Sequence, residues 1–235
     1  MATLVLLRHG RTTANAEGVL AGWTPGVGLD DTGRAQAEAA ATRLRALPWR
    51  TVVTSPLQRC RETVTAVLGE PADGAGPVVD DRLGECRYGD WEGRPLKELA
   101  KEPMWKVVQS HPSAAVFPGG EPLAATSARA VAAVREWDGR VGAEHGPDAL
   151  WLACSHGDVI KAIVADALGM HLDQFQRIVV EPCSVTVIRY TPLRPFVMRL
   201  NDLGSDLSGL VPPPKRRRRR AKRADSDATV GGSTG

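Results

Sequence analysis

The sequence predicts an α/β fold: a three-layer sandwich in which helices flank a mostly parallel central sheet. Two observations support this class. Short apolar runs of strand length alternate along the chain with longer segments of helical period, which is typical of strands joined by crossover helices. The hydrophobic content of 43% over 235 residues is also enough for one substantial core. We therefore expect one domain over residues 1–210.

The predicted elements follow one another in a regular order. Strands are expected at residues 3–7, 51–54, 149–154, 185–190 and 195–200, with a short one at 78–79. Helices are expected at residues 31–47, 55–68, 124–141 and 158–168, with one or two short helices within 95–110. Residues 82–93 show no clean period, and irregular segments of this kind often carry function.

Local signals predict where two of these helices begin. Thr32 would cap the helix at residues 31–47, and Pro48 would stop it. The next helix would begin at Ser55, with Pro56 in the first helical position and Gln58 as the capping-box partner. Arg59 would then lie in the first turn of that helix.

Charge is divided unevenly between the body of the chain and its end. The formal net charge is +3, but residues 211–235 hold eight basic and two acidic side chains, which leaves the body at −3. A mildly acidic body excludes a general nucleic-acid-binding surface, so any anion site must be local. Residues 211–235 are rich in Pro, Lys, Arg, Gly and Ser and are expected to be a disordered tail. Such a tail can make weak contact with nucleic acid or another polyanion.

Cysteine usage and hydropathy indicate the compartment. The four cysteines contain no C-x-x-C pair, which argues against a disulfide scaffold and against a zinc site. No apolar run is long enough for a signal peptide or a membrane span. We expect a cytoplasmic protein that needs no metal or cofactor and has no membrane partner. Cys60 and Cys86 directly follow Arg59 and Glu85, and whether either thiol is redox-sensitive stays open at this point.

Two histidines directly follow two predicted strands. Arg8 and His9 come after the first strand, and His156 comes after the strand at residues 149–154. The carboxyl edge of such a sheet commonly hosts ligands. A phosphoryl group needs fixed cations, hydrogen-bond donors and one aligned nucleophile, and Arg8, Arg59 and the two histidines supply that set.

These residues belong to four motifs that stand in one order along the chain. The motifs are Arg8-His9-Gly10-Arg11-Thr12 with Asn15, Ser55-Pro56 with Arg59, Glu85 before Tyr88-Gly89-Asp90-Trp91-Glu92-Gly93, and Ser155-His156-Gly157. Together they resemble the histidine phosphatase superfamily, which includes the phosphoglycerate mutases. The resemblance covers residues 3–200.

The resemblance implies a role for each matched residue. His9 would attack phosphorus and become phosphohistidine, and Glu85 would protonate the departing alkoxide, which is otherwise a poor leaving group. Glu92 lies nearby as a competitor for the acid role. The phosphoryl oxygens would be bound by Arg8, Asn15, Arg59, His156 and Gly157.

Three functions stay open. Residues 88–93 and 118–121 look more like the phosphatase-type branch, and Cys86 stands where the mutases carry arginine, so a small-molecule phosphomonoester hydrolase is favoured. A phosphomutase is the alternative, because Arg87, Arg94 and Lys97 could hold a second anionic group. A catalytically idle scaffold, or a nucleic-acid binder acting through the tail, is the third.

Three large aromatic residues leave a smaller question open. Trp91, Trp105 and Phe117 either line the substrate pocket or anchor the core, which is the more common use of such side chains. The sequence gives neither the physiological substrate nor the oligomeric state.

Overall fold

A computed structural model describes residues 1–69, 76–204, 230 and 231 of the chain, and a six-stranded sheet runs through it. The strands are β1 Thr3–Arg8, β2 Trp49–Thr54, β3 Val78–Val79, β4 Leu150–Ser155, β5 Val185–Arg189 and β6 Phe196–Asp202. Their order in the sheet is β3-β2-β4-β1-β5-β6. The first four run parallel, β5 is antiparallel to β1, and β6 is antiparallel to β5. The predicted, mostly parallel sheet is confirmed.

Seven α-helices are present in the described residues. They are α1 Thr13–Glu17, α2 Asp31–Leu44, α3 Gln58–Leu68, α4 Leu96–Leu99, α5 Pro103–Ser110, α6 Leu123–His145 and α7 Gly157–Ala167. All the predicted helices and strands exist, with ends that differ by a few residues. The short helix α1 is the one α-helix that the sequence pattern did not predict, because five residues are too few to show a helical period.

The core lies on both faces of the sheet. Side chains alternate along a strand, so Leu4 and Leu6 of β1 face one cluster while Val5 and Leu7 face the other. Helices α6 and α7 cover the first cluster, and α2 and α3 cover the second. This arrangement confirms the predicted three-layer sandwich.

Two predicted helix caps are wrong: Asp30 and not Thr32 caps α2, and no side chain caps α3. Helix α2 is capped by Asp30, whose carboxylate accepts from the Gly33 N–H at 2.7 Å, while the Thr32 hydroxyl accepts from Arg11. Helix α3 begins at Gln58 without a side-chain cap. The Ser55 hydroxyl lies 2.7 Å from Nε2 of His156 instead.

The end of the chain is described only at Val230 and Gly231. The rest of the predicted tail at residues 211–235 lies outside the described residues, so its disorder stays a prediction. Val230 differs from that expectation, because it is 2% exposed and packs into the core cluster that α6 and α7 cover. None of the helices in the described part of the chain combines the length and apolar character that a membrane crossing needs.

Candidate active site

The Arg8-His9 and Ser155-His156 motifs meet at the carboxyl edge of the sheet. Strands β1 and β4 are parallel neighbours that pair Arg8 with Ser155. The His9 N–H donates to the Ser155 carbonyl at 3.0 Å, which continues the ladder beyond β1. The two imidazole rings that follow have centroids 5.1 Å apart. The register of the two strands therefore brings the histidines together.

His9 is held in one tautomer. Its Nδ1 lies 2.7 Å from the Gly10 carbonyl, which can only accept, so Nδ1 carries the proton and Nε2 has the free lone pair. The ring is 3% exposed. Burial, followed by the charges of Arg59 and Arg8, lowers the pKa of His9 well below its ordinary value. His9 is consequently a neutral imidazole with Nε2 ready to act as a nucleophile.

His156 is fully buried, and the side chains of Ser55 and Cys60 contact its ring at Nε2. The Ser55 hydroxyl lies 2.7 Å from its Nε2, and Sγ of Cys60 lies 3.5 Å from the same nitrogen. Burial, then the charge of Arg59, lowers the pKa of His156 well below its usual value. Its Nδ1 is buried without a hydrogen-bond partner among the described residues. A buried polar atom without a partner is costly, and a hydrogen bond from Nδ1 to a bound ligand would remove that cost.

Two buried guanidinium groups supply positive charge. Arg8 is 0% exposed and donates to the Val180 carbonyl at 2.7 Å. Arg59, in the first turn of α3 as predicted, is 2% exposed and donates to the Gly22 carbonyl at 2.9 Å. Arg59 forms no ion pair with a carboxylate of the described residues. A buried cation without a carboxylate is costly, and an anionic ligand would remove that cost.

Thr63 connects the strand-end loop to α3. Its hydroxyl accepts from the Gly10 N–H at 3.0 Å and donates to the Arg59 carbonyl at 2.7 Å. The His9 loop and the first turn of α3 therefore form one rigid unit. No motif marked Thr63 in the sequence, because its part is to position its neighbours.

Glu85 is buried in the irregular segment between two short 3-10 turns. Its carbonyl accepts from the Trp23 indole at 2.6 Å and from Arg129 at 2.9 Å, and its carboxylate accepts from the Cys86 N–H at 3.0 Å. Burial, then the charge of Asp158, raises the pKa of Glu85 to about 7. A carboxyl group with this pKa is protonated for a large part of the time near neutral pH.

Glu92, the alternative candidate for the acid role, binds a main-chain N–H outside the cavity. Its carboxylate accepts from the Tyr88 N–H at 3.0 Å and does not line the cavity. Trp91, Trp105 and Phe117 belong to the core, where Trp91 stacks on Trp105 and meets Phe117 edge-on. Tyr88 is the aromatic residue on the cavity wall.

The cavity itself lies between His9 and the segment that carries Glu85. Four of the predicted site residues line it, namely His9, Asn15, Arg59 and Glu85. Three others, Arg8, His156 and Gly157, are buried but absent from the wall. The remaining lining is mostly apolar or uncharged and comprises Thr12, Val19, Leu20, Ala21, Gly22, Tyr88, Leu96, Val230 and Gly231.

Asn15 reaches the wall from α1. Its Oδ1 accepts from the N–H of Thr12 at 3.1 Å and from its hydroxyl at 2.9 Å, while the Thr12 hydroxyl accepts from the Asn15 N–H. This reciprocal capping box fixes the amide plane. The nitrogen of the amide is then the group that Asn15 can offer to an acceptor in the cavity.

Asp158 is a site residue to which the sequence analysis gave no role. It is 1% exposed in the first turn of α7, accepts from the Tyr88 hydroxyl at 2.9 Å and lies 3.5 Å from the Lys161 ammonium. Its signal in the sequence was its position directly after Ser155-His156-Gly157. Pattern alone could not show that this carboxylate points toward Tyr88.

The described residues contain neither a disulfide nor a cluster suited to a metal ion. All four cysteines are free and buried. Burial raises the pKa of the Cys86 thiol, and a buried thiol with a raised pKa is unreactive. Within residues 1–69, 76–204, 230 and 231, no three His, Cys, Asp or Glu side chains are grouped so that they could hold a metal ion.

Comparison with known proteins identifies relatives of the whole domain. The chain is 29% identical over 191 residues to 2,3-bisphosphoglycerate-dependent phosphoglycerate mutase 2 of Gloeobacter violaceus, covering 78% of this chain and 83% of that one. It is 33% identical over 180 residues to glucosyl-3-phosphoglycerate phosphatase of Mycolicibacterium vanbaalenii, covering 73% and 76%. A solved mycobacterial glucosyl-3-phosphoglycerate phosphatase in complex with VO3 superimposes with a TM-score of 0.75 at 28% identity, over 86% of this chain and 99% of that one.

The relatives thus include both phosphatases and phosphoglycerate mutases. The model of the histidine phosphatase superfamily (branch 1) matches residues 4–203, which comprise the sheet except for Thr3 and all the helices that flank it. The chain therefore belongs to the histidine phosphatase superfamily.

Proposed function

We propose that the chain hydrolyses small phosphomonoesters through a phosphohistidine on His9, with Glu85 as general acid and base. One observation carries this proposal: a neutral His9 with a free Nε2 shares a cavity with the buried Arg59 and with a protonable Glu85. Nucleophile, cation and acid are the three parts that phosphoryl transfer needs.

In the first step, Nε2 of His9 attacks phosphorus while the P–O bond to the leaving group breaks. Charge on the phosphoryl oxygens would be balanced by Arg8 and Arg59, with donors from Asn15, His156 and the Gly157 N–H at the start of α7. Glu85 gives its proton to the leaving oxygen and becomes a carboxylate. The products are an alcohol and phosphohistidine.

In the second step, the Glu85 carboxylate takes a proton from water as the water attacks the phosphohistidine. The P–N bond breaks, inorganic phosphate leaves, and both His9 and Glu85 return to their starting protonation states. A group whose pKa is about 7 suits both directions, because near neutral pH neither proton transfer is strongly uphill.

The proposal assigns charge neutralisation to side chains rather than to a metal ion. Arg8, Arg59 and the site donors occupy the place that Mg²⁺ takes in many phosphoryl-transfer enzymes. We expect turnover to be unchanged by prolonged treatment with EDTA, and vanadate to inhibit as a mimic of the five-coordinate transition state. Loss of activity on chelation, restored by one divalent cation, would contradict this assignment.

The surroundings of the site favour hydrolysis over the mutase reaction. A mutase needs further cations beside the phosphoryl site for the second anionic group of its substrate. Arg87 lies 3.7 Å over the Trp23 ring, Arg94 pairs with Glu102 at 2.7 Å, and Lys97 is exposed. None of these three cations lines the cavity. The phosphomutase stays the second candidate because mutases are among the relatives.

The other candidates rest on weaker support. An idle scaffold would have no need to keep His9 neutral and Glu85 protonable. Nucleic-acid contact through residues 211–235 depends on residues that lie outside the described structure, apart from Val230 and Gly231.

We propose a cytoplasmic location on the ground that the four cysteines are free.

A panel of phosphomonoesters, tested with the wild type and with His9→Ala, separates these functions. Products are analysed for free phosphate and for isomerised substrate, so that hydrolysis and mutase activity appear in separate signals. We expect phosphate release by the wild type and none by His9→Ala. Isomerised product without phosphate would establish the mutase instead, and inactivity of the wild type on the whole panel would leave the scaffold.

A further inference from the structure

Two residues near the end of the chain, Val230 and Gly231, lie at the active-site cavity. Val230 is 2% exposed, and both Val230 and Gly231 line the cavity together with His9, Arg59 and Glu85. We propose that Val230 and Gly231 are an internal ligand of the active site, held by a peptide-binding subsite on Asp158 and Arg8, and that they compete with substrate. This inference rests on the proposed function only for the identity of the competing substrate.

Both main-chain polar groups of Gly231 have partners in the subsite. Its N–H donates to Oδ2 of Asp158 at 2.9 Å, and its carbonyl accepts from the Arg8 guanidinium at 3.4 Å. Asp158 is 1% exposed and Arg8 is 0% exposed, so both partners are buried charged groups. Hydrogen bonds to ionised groups are stronger than those between neutral groups. A carboxylate and a guanidinium placed in this way match the donor and the acceptor of a peptide main chain.

The subsite requires glycine at its centre. Gly231 has φ +81°, the left-handed region that other residues avoid, and a Cβ at this position would lie 3.2 Å from Cδ1 of Leu20. The backbone conformation therefore selects glycine, and a larger residue would also require the Leu20 side chain to shift by a few tenths of an ångström. The apolar part of the contact is the Val230 side chain, which packs into the same core cluster as Leu20 and Tyr88.

Substrate and the internal ligand cannot occupy the site together. The cavity volume that remains beside Val230 and Gly231 is about 30 Å³, which has room for a few water molecules at most and not for a phosphomonoester. The Gly231 carbonyl also occupies a donor of Arg8, which the proposed mechanism assigns to a phosphoryl oxygen. A phosphomonoester must displace the segment to bind.

The covalent tether makes even a weak contact effective. A ligand on the same chain has an effective concentration in the millimolar range when the tether can span the distance. The apparent dissociation constant of the substrate is then its intrinsic value divided by the fraction of molecules whose cavity is free. If one molecule in ten is free, removal of the segment lowers KM about tenfold and leaves kcat unchanged.

The test compares the full chain with a chain that ends at Thr229, which keeps the whole polybasic run and lacks residues 230–235. The probe is a synthetic octapeptide of residues 228–235, and its binding to each chain is measured by titration calorimetry. We expect binding to the truncated chain and not to the full chain. A peptide with Gly231→Ala should bind about five- to thirtyfold more weakly, and a scrambled peptide should not bind.

Absence of peptide binding to the truncated chain, or equal binding to both chains, would overturn the proposal. With p-nitrophenyl phosphate as substrate, KM should fall on truncation, and the peptide should inhibit the truncated enzyme competitively. An unchanged KM would overturn the competition with substrate. If neither chain turns over any phosphomonoester while the peptide still binds the truncated chain, the proposed function fails and the internal ligand stands.

Discussion

The two walls of the active site are held in different ways. His9 and His156 follow β1 and β4 directly, and the hydrogen-bond ladder between these strands sets their separation. Glu85 lies in a segment without regular structure, where Trp23 and Arg129 fix its carbonyl from two other parts of the chain. The wall with the proposed nucleophile His9, here the nucleophile wall, is therefore positioned by the sheet. The wall with the proposed acid Glu85, here the acid wall, is positioned by individual side chains. We expect the first to tolerate changes around it better than the second.

The largest effect should come from the nucleophile. His9→Ala removes the only proposed route to a phosphoenzyme, so kcat should fall by about four orders of magnitude or more. The sheet should be unaffected, because the substitution removes no strand hydrogen bond. His145→Ala, at the exposed end of α6, is the matched control and should retain full activity. Substantial turnover by His9→Ala would assign the nucleophile elsewhere.

Removal of the acid should cost different substrates different amounts. Glu85→Gln should lower the phosphorylation rate with alkyl phosphates by about 10²- to 10⁴-fold, because the alkoxide needs a proton to leave. With p-nitrophenyl phosphate, whose phenolate leaves without help, the loss in this step should be much smaller. Burst kinetics separate phosphorylation from the later attack of water.

Glu92→Gln is the control for that experiment. Its amide can still accept from the Tyr88 N–H, so the segment keeps its conformation. We expect little loss with either substrate. Equal losses for alkyl and aryl phosphates in the phosphorylation step of Glu85→Gln would show that Glu85 holds the segment in place and is not the acid.

Near neutral pH, the pH profile of activity should report the titration of Glu85 and not that of His9. With an alkyl phosphate, kcat/KM should fall above about pH 7, since the pKa of Glu85 is about 7 and only its protonated form can act as acid. Protonation of His9 should limit the rate only well below pH 6.5, because its pKa is lowered. In Glu85→Gln the fall above pH 7 should disappear. A fall that persists in this variant would belong to another group.

A smaller effect should appear in stability. The pKa of Glu85 is about 7 in the folded state against 4.5 for an ordinary carboxyl, so the folded state binds more protons between these values and loses stability as pH rises through them. Glu85→Gln removes that cost. Its free energy of unfolding at pH 8 should exceed that of the wild type by about 3 kcal/mol, with little difference at pH 4.5. Thermal melts at the two pH values test the sign.

Sequence predicted the nucleophile wall well. The apolar runs before Arg8-His9 and before Ser155-His156 indicate strands, and parallel strands place both motifs at one edge. The resemblance to the histidine phosphatases identified Arg59 and Glu85 as well. The placement of both histidine motifs at one edge is confirmed, because strand period is a local property of the sequence, and the catalytic roles of these residues stay predictions.

The rest depends on contacts between distant residues. The Ser55 hydroxyl accepts from the nearby Leu57 N–H at 3.3 Å and also lies 2.7 Å from Nε2 of the distant His156, and only the fold shows the second contact. Arg129 comes 44 residues after the Glu85 carbonyl that it contacts, and nothing local marks it. The packing of Val230 into the cavity could not be predicted, because the composition around it favours disorder.

The central claim is that the phosphoryl group passes through His9. The most direct measurement mixes the wild type with ³²P-labelled substrate, quenches the reaction within the first turnover and locates the label by peptide mapping. We predict an acid-labile, base-stable phosphate on the peptide that contains His9, formed faster than phosphate is released, and also formed by Glu85→Gln with p-nitrophenyl phosphate. Label on another residue, or turnover of the wild type with no labelled enzyme under conditions that preserve phosphohistidine, would contradict the account.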